Sequence, residues 1–194
     1  MDVPCGMCTA CCRSSLFIHI GANETQTLAR IPGELLFPAP GRPNDKVMGF
    51  DENGQCPMFQ KNECSIYEHR PLTCRQFDCR VFAITELKLT GENKSLINRQ
   101  IGRWKFAFPA QEDTIKHLAV QAASQFLQNH TDCFPAGVLP DNKIQLAVLA
   151  LKVFDVFLKH VDESETALHP FSNNQITGIV DKICKRLKFE VPAK

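Results

Sequence analysis

Eight of the ten cysteines in this 194-residue chain lie between Cys5 and Cys79. They form the run Cys5-x2-Cys8-x2-Cys11-Cys12 followed by Cys56, Cys64, Cys74 and Cys79. A C-x2-C turn can place two thiolates on one ion or cluster, and a third cysteine further along can join them. All eight cysteines are therefore candidate metal ligands.

A disulfide framework is the first alternative to a metal site. Disulfide partners need Cα atoms roughly 4.4–6.8 Å apart, a geometry that closely spaced cysteines seldom reach with one another. The chain opens Met-Asp-Val-Pro without a secretory signal, so we expect a reducing, cytoplasmic location. In that compartment a cysteine-rich chain favours metal binding, with disulfides and unligated thiols as the remaining interpretations.

The ligand type limits which metal is expected. Thiolate sulfur selects Zn²⁺, Cu(I) or an iron-sulfur cluster over harder cations. Eight thiolates fit two sites of four, each with a formal charge of about −2 for Zn²⁺ or for [4Fe-4S]²⁺. Adjacent side chains such as Cys11 and Cys12 tend to point apart, which favours two metal sites or a binuclear centre.

The spacing separates zinc from iron only in part. A zinc ribbon has two C-x2-C knuckles about 15–20 residues apart. In this chain the four cysteines from Cys56 to Cys79 are instead separated by seven, nine and four residues. The N-terminal run resembles the start of a bacterial ferredoxin motif, but its fourth cysteine follows directly and lacks a following proline. We therefore favour an iron-sulfur cluster over zinc as the cofactor and keep both.

Four arginines accompany the cysteines: Arg13, Arg70, Arg75 and Arg80. Their charges would offset the negative charge of a thiolate-bound centre, and their N–H groups could donate to sulfur. We predict that they surround the ligands, with ordinary surface charges as the alternative. His19 and His69 are further possible ligands, although eight cysteines already saturate two tetrahedral sites.

The cysteines also carry a family resemblance. The run from Cys5 to Cys12, then Gly54-x-Cys56-Pro57, then the segment Cys64-Ser-Ile-Tyr-Glu-x-Arg-Pro-x2-Cys74-Arg-x-Phe-x-Cys79, resembles the CxxCxxCC or YkgJ-type cysteine-cluster family of zinc- or iron-chelating domains. The resemblance spans residues 5–80 and implies metal binding. It also extends to the cysteine module of flagellin lysine N-methylases, which are associated with an iron-sulfur centre.

Two functions follow from these patterns. The first is an iron-sulfur protein with a redox or protein-modifying role, acting on a protein substrate or partner that the sequence does not identify. The second is a zinc-stabilised structural or protein-interaction module without catalysis. The sequence leaves open whether the protein is an enzyme.

The elements that must position the cysteines are mostly loops. We expect a mainly α chain with a few short strands, divided into a metal-nucleated cysteine region at 1–108 and a helical layer at 109–194 packed on it, or one compact domain. Strands are predicted at 15–20 and within 85–90, and a helix capped by Asn23 up to Arg30. The Pro- and Gly-rich residues 37–57 predict turns.

The C-terminal region predicts three helices. Apolar residues from Ile115 to Leu127 recur at helical spacing behind Glu112 and Asp113. A second helix, capped by Asp141, is apolar on nearly all sides and should be buried. The third begins with the capping box Ser172-x-x-Gln175 and carries Cys184 on its core face.

Composition argues against two further classes of function. The net charge of +1 and the absence of a dense basic helix argue against a nucleic-acid-binding finger. No apolar stretch reaches the roughly 18 residues of a membrane-spanning helix, so no membrane association is predicted. Cys133 lies in a predicted loop and is expected to be inert.

Overall fold

The computed structural model describes residues 3, 7–161 and 171–188. About 48% of the described residues are helical, which agrees with the expected mainly α class. The chain divides into two compact units. We call Met1–Cys79 with Leu89–Arg103 the cysteine unit, and Arg80–Lys88 with Trp104–Lys194 the helical unit. The predicted boundary at residue 108 and the nucleating role of a metal stay predictions.

Five strands and seven helices lie within the described residues. The strands are β1 (Ile18–Ile20), β2 (Leu36–Ala39), β3 (Arg42–Met48), β4 (Phe59–Gln60) and β5 (Glu63–Cys64). The helices are α1 (Thr25–Leu28), α2 (Leu72–Gln76), α3 (Arg80–Thr85), α4 (Ser95–Ile101), α5 (Gln111–Asn129), α6 (Lys143–Val153) and α7 (Asn173–Arg186).

An antiparallel sheet with the strand order β1-β3-β2 forms the base of the cysteine unit. Ile18 and Leu36 both lie opposite Met48, so one face of the sheet is apolar and packs into the core. The sequence predicted only turns here, and that prediction missed β2 and β3. Pro38 is tolerated because β2 is an edge strand, where a missing N–H breaks no internal ladder.

Two other local predictions for the cysteine unit need correction. The strand predicted from Ser15 begins only at Ile18, because Ser15 has a left-handed φ of 48°. Asn23 does not cap α1. Glu24 precedes that helix and instead binds the Gly21 N–H through its carboxylate at 2.8 Å.

The strand predicted within 85–90 is wrong. The preceding residues form α3, in which the Thr85 hydroxyl donates to the Val81 carbonyl at 2.7 Å. The left-handed φ of 56° at Glu86 ends the helix. Leu87 and Leu89 are buried. Within the described ranges, however, this segment forms no strand and pairs with none.

The helical unit has a core built from α5, α6 and α7. The alanines of α5 and the apolar faces of α6 and α7 enclose Phe126, whose ring lies 5.4 Å from the Phe157 ring and 5.4 Å from the Phe171 ring, measured between centroids. The three predicted helices are confirmed. So are the Ser172–Gln175 capping box and the burial of Cys184.

Helix α6 differs from its prediction in two ways. Its cap is Asn142, whose side chain accepts from the Ile144 N–H at 2.7 Å, one residue after the predicted Asp141. It is also not buried on most sides, because Val148 is 40% exposed and Leu151 is 38% exposed. An apolar stripe along one face is enough to hold a helix on its neighbours.

Within the described residues, none of the helices combines the length and the hydropathy that crossing a membrane requires.

Replacing Phe126 by alanine tests the core of the helical unit. Phe126→Ala removes a ring that is 2% exposed and contacts other aromatic rings, so we expect a loss of about 3–5 kcal/mol in the free energy of unfolding. Val148→Ala, at an exposed site, should change it by about 0.5 kcal/mol. Guanidinium denaturation followed by far-UV circular dichroism measures both. Equal losses would contradict this assignment of the core.

Candidate metal centre

The candidate ligands lie in the cysteine unit. Cys5 lies outside the described residues. The other seven are half-buried, namely Cys8, Cys11, Cys12, Cys56, Cys64, Cys74 and Cys79. None of the nine described cysteines forms a disulfide with another described cysteine.

Cys11 and Cys12 lie on a single 3₁₀ turn, Cys11–Arg13. The buried Ser14 closes this turn, because its hydroxyl donates to the Ala10 carbonyl at 2.6 Å. Each of the two neighbouring thiols shifts the pKa of the other, so their sulfur atoms lie close together. The expectation that they point apart is therefore wrong. Successive side chains are about 120° apart on a 3₁₀ turn, whereas those of a strand point to opposite faces.

Backbone hydrogen bonds join the Cys11–Cys12 turn to the loop that carries Cys56. The Cys56 N–H donates to the Cys12 carbonyl at 2.8 Å, and the Ser15 N–H donates to the Gly54 carbonyl at 2.8 Å. These two contacts connect segments that are 39 and 44 residues apart in the sequence. They hold Cys12 and Cys56 next to each other without help from their side chains.

Cys64 is positioned by the β4–β5 hairpin, where it lies opposite Phe59. Lys61 and Asn62 form the tight turn with left-handed φ values of 52° and 66°, as a type I′ hairpin turn requires. The Phe59 N–H also donates to the Cys56 carbonyl at 2.8 Å. The hairpin thus links the position of Cys64 to that of Cys56.

Cys74 lies on the short helix α2, which is anchored at two points. The Thr73 hydroxyl donates to the His19 carbonyl of β1 at 2.7 Å. The Leu72 N–H, at the start of the helix, donates to the Glu24 carboxylate at 2.6 Å. A carboxylate at a helix N-terminus satisfies an unpaired donor and favours the helix. These anchors fix α2, and with it Cys74, against the sheet.

The pKa values of the thiols indicate that five of them are neighbours. A hydrogen bond from Cys12 lowers the pKa of Cys11 to about 7. The same bond raises the pKa of Cys12, with burial and the negative charges of Cys11, Cys56 and Cys74 adding to the shift. Burial, together with charge on Cys11, Cys56 and Cys64, raises the pKa of Cys74 to about 12.

Cys56 completes this group. Its pKa is raised first by burial and then by charge on Cys64 and Cys11. We call Cys11, Cys12, Cys56, Cys64 and Cys74 the five-thiol cluster. Four separate chain segments supply its members, so only the fold brings these sulfurs together.

The five-thiol cluster occupies one region without enclosing one point. In the part of the chain that the structure describes, no three His, Cys, Asp or Glu side chains converge closely enough to hold a metal ion. The two observations are compatible because charges interact over several ångströms, whereas a thiolate binds Zn²⁺ at about 2.3 Å. As a donor set, the cluster suits a thiophilic metal.

Apolar side chains back the five-thiol cluster on one side. The core of the cysteine unit packs against three of these thiols, Cys56, Cys64 and Cys74. The buried members of this core are Ile18, Ile20, Ile31, Met48, Met58 and Ile66. This contact removes water from one side of the thiols. It accounts for the burial that raises the pKa values of Cys56 and Cys74.

The four predicted arginines occupy different surroundings. Arg70 is close enough to Cys74 to lower its pKa, and its guanidinium stacks on the Tyr67 ring at 4.1 Å. Arg75 follows Cys74 and has a buried Nε atom that finds no hydrogen-bond partner among the described residues. Arg13 is exposed, and Arg80 begins α3 in the helical unit. Their predicted role beside the ligands stays a prediction.

The other candidate ligands and cysteines have different surroundings. Cys8 and Cys79 are half-buried, and their role as ligands stays a prediction from the sequence. Cys133 is exposed in the helical unit. His19 faces Asp45 across the sheet, with its Nε2 atom 2.9 Å from the carboxylate, which gives it a structural partner.

Asn93 and Lys94 bind Ser14 and Ser15 next to the Cys11–Cys12 turn, a clamp that the sequence did not predict. The Lys94 ammonium donates to the carbonyls of Ser14 and Ser15 at 2.5 and 2.6 Å. The Asn93 amide donates to the Ser15 hydroxyl at 3.1 Å. These contacts span about 80 residues, so no local pattern in the sequence could indicate them.

Comparison with known proteins identifies one family. Residues 4–96 match the family CxxCxxCC, described as a putative zinc- or iron-chelating domain. The match includes all eight N-terminal cysteines and ends just after Lys94, so it also takes in the clamp on the Cys11–Cys12 turn. Comparisons with curated proteins and with solved structures gave no significant match.

Gly54 opens the segment Gly54-x-Cys56-Pro57, at a position where the structure requires a glycine. Replacing Gly54 tests this requirement. Its φ is +74°, and an added Cβ would lie 2.3 Å from Asn93 Nδ2 and 2.4 Å from Ser15 Oγ. We expect Gly54→Ala to lower the free energy of unfolding by about 2–4 kcal/mol through backbone strain and overpacking.

Gly41→Ala is the matched control, because Gly41 has a similar φ of +69° with nothing within 4 Å of the added Cβ. The free energy of unfolding of Gly41→Ala should fall by only about 1–2 kcal/mol, the cost of placing alanine at a left-handed φ. Thermal and denaturant unfolding of both variants measures the difference. If Gly54→Ala lost no more than Gly41→Ala, the close approach of the two loops would be refuted.

Proposed function

Because residues 4–96 are a domain of the CxxCxxCC family, we propose that this protein binds a metal centre through cysteine thiolates, with an iron-sulfur cluster as the favoured cofactor. The observation that carries the proposal is the five-thiol cluster, drawn from four segments of the chain. Cys5, Cys8 and Cys79 complete the proposed ligand set on the strength of their positions in the family motif.

The thiol electrostatics support a cation at this position. Burying several thiols side by side makes Cys12, Cys56 and Cys74 harder to ionise, because a thiolate is desolvated there and repelled by its neighbours. Cys11 is the exception, since the hydrogen bond from Cys12 lowers its pKa. A thiophilic metal reverses both effects, since it replaces the lost hydration and neutralises the negative charge. The residues present therefore fit a metal centre by their chemistry.

Two features of the arginines support iron-sulfur over zinc. Arg70 lies near Cys74 and lowers its pKa. The buried Arg75 Nε–H lacks an acceptor among the described residues, and a sulfur or sulfide atom of a cluster could accept its hydrogen bond. Such contacts tune the reduction potential of iron-sulfur centres. When bound, a cluster of this kind would supply one-electron chemistry.

A redox or protein-modifying role follows from this proposal, in a reducing, cytoplasmic compartment that keeps the thiols free. An unidentified protein would be the substrate or partner. The helical unit would then supply the surface that recognises it. A possible second metal site rests on the eight cysteines of the sequence.

A zinc-stabilised structural module is the second candidate, and the size of the core favours it. Among the described residues, the apolar core of the cysteine unit has six buried members. A small core of this kind gains much of its stability from a structural metal. In that case the centre would hold the hairpin, the Cys11–Cys12 turn and α2 together without catalysis.

Serine substitution tests the ligand assignment. We expect Cys12→Ser and Cys74→Ser, purified without oxygen, each to lose most of the bound metal and to unfold more easily, because metal binding and folding are linked. Cys133→Ser is the matched control, since Cys133 is an exposed thiol in the helical unit. It should keep the metal content of the unaltered protein.

Iron, zinc and acid-labile sulfide are measured for each protein, together with the visible absorption spectrum. Iron with sulfide and a broad visible band supports the cluster, whereas zinc without a band supports the structural module. Equal metal content in all three variants would refute the five-thiol cluster as the binding site.

A further inference from the structure

A basic groove lies on the helical unit. Its volume is about 480 Å³, and its lining comprises Asp155, Val156, Leu158, Lys159, Lys182, Lys185 and Arg186. Helix α7 supplies three of the cations at spacings of three and four residues, which places them on one face of the helix. Lys159 approaches from a neighbouring 3₁₀ turn.

Two of the four cations are already paired with carboxylates. Lys185 contacts Asp181 at 2.7 Å, and Arg186 forms an ion pair with Asp155. Four cations against these two carboxylates leave this surface with a net charge of +2. The excess positive charge belongs to Lys159 and Lys182.

Lys159 and Lys182 both line the groove. They are close enough for Lys159 to lower the pKa of Lys182, since two ammonium groups repel each other. Neither lysine has a carboxylate partner among the residues that the structure describes. The groove thus contains two neighbouring cations with no described carboxylate to balance them.

His160 adds a third nitrogen group to this surface. Its pKa is lowered first by burial and then by the charges of Lys159 and Lys182. The two lysines carry the donors that a compact, multiply charged oxyanion needs, and the His160 imidazole lies near enough for their charges to act on it. The apolar Val156 and Leu158 in the lining offer a surface for an uncharged part of such a ligand.

We propose that this groove binds a phosphate group, either as inorganic phosphate or as part of a small phosphate ester, with Lys159 and Lys182 as its main charge partners. A phosphate between the two ammonium groups replaces their repulsion by two charge-assisted hydrogen bonds. A carboxylate would carry only one negative charge and fewer acceptor oxygens.

The test titrates inorganic phosphate into the full-length protein with its metal content intact, at constant ionic strength, and follows backbone amide shifts by NMR. We expect saturable shifts at residues 155–160 and 182–186. Lys159→Met and Lys182→Met should each weaken binding about tenfold, the effect of losing one hydrogen bond to a charged group. Lys152→Met, at an exposed lysine outside the groove, should leave binding unchanged.

A parallel titration with adenosine monophosphate separates the two sources of phosphate. Tighter binding of the nucleotide would assign the groove to a phosphate ester, and tighter binding of inorganic phosphate would assign it to the free anion. Shifts that do not saturate, or equal weakening by Lys152→Met and Lys182→Met, would overturn the proposal.

Discussion

The mutual repulsion of buried thiolates is the constraint on which the cysteine unit depends. Four chain segments carry Cys11, Cys12, Cys56, Cys64 and Cys74 into one region, where negative charge on neighbouring sulfurs raises the pKa of thiols such as Cys12 and Cys74. The interaction between Cys11 and Cys12 joins neighbours in the sequence, so it does not bring the four segments together. The backbone does so, through the hydrogen bonds from Cys56 to Cys12 and from Ser15 to Gly54. A thiophilic cation is the partner that makes such an arrangement favourable.

The charged side chains near the five-thiol cluster bind main-chain atoms and not the sulfur atoms. Glu24 binds the first N–H of α2, and Lys94 binds two carbonyls next to the Cys11–Cys12 turn. Each is a charged group that satisfies main-chain atoms, and each leaves the thiols free. Gly54 allows the two loops to approach because it carries no Cβ. These backbone contacts thus position the candidate ligands without any contact to the sulfur atoms.

Local signals predicted those parts of the structure that local contacts decide. The helical spacing of α5 and the Ser172–Gln175 capping box were predictable because their partners lie within one turn. The β2–β3 hairpin was missed because its prolines read as turns. Asn93, Lys94 and Glu24 were missed because their partners are distant in the sequence. The cysteines were predicted as ligands by type and spacing, but their grouping into the five-thiol cluster required the fold.

X-ray absorption spectroscopy at the iron and zinc edges, on protein purified without oxygen, tests the central claim most directly. If the five-thiol cluster binds metal, the protein contains stoichiometric iron or zinc whose nearest neighbours are sulfur atoms, with iron and an additional iron-iron distance expected for a cluster. A first shell of oxygen and nitrogen atoms, or protein that holds neither metal, would contradict a thiolate-bound centre.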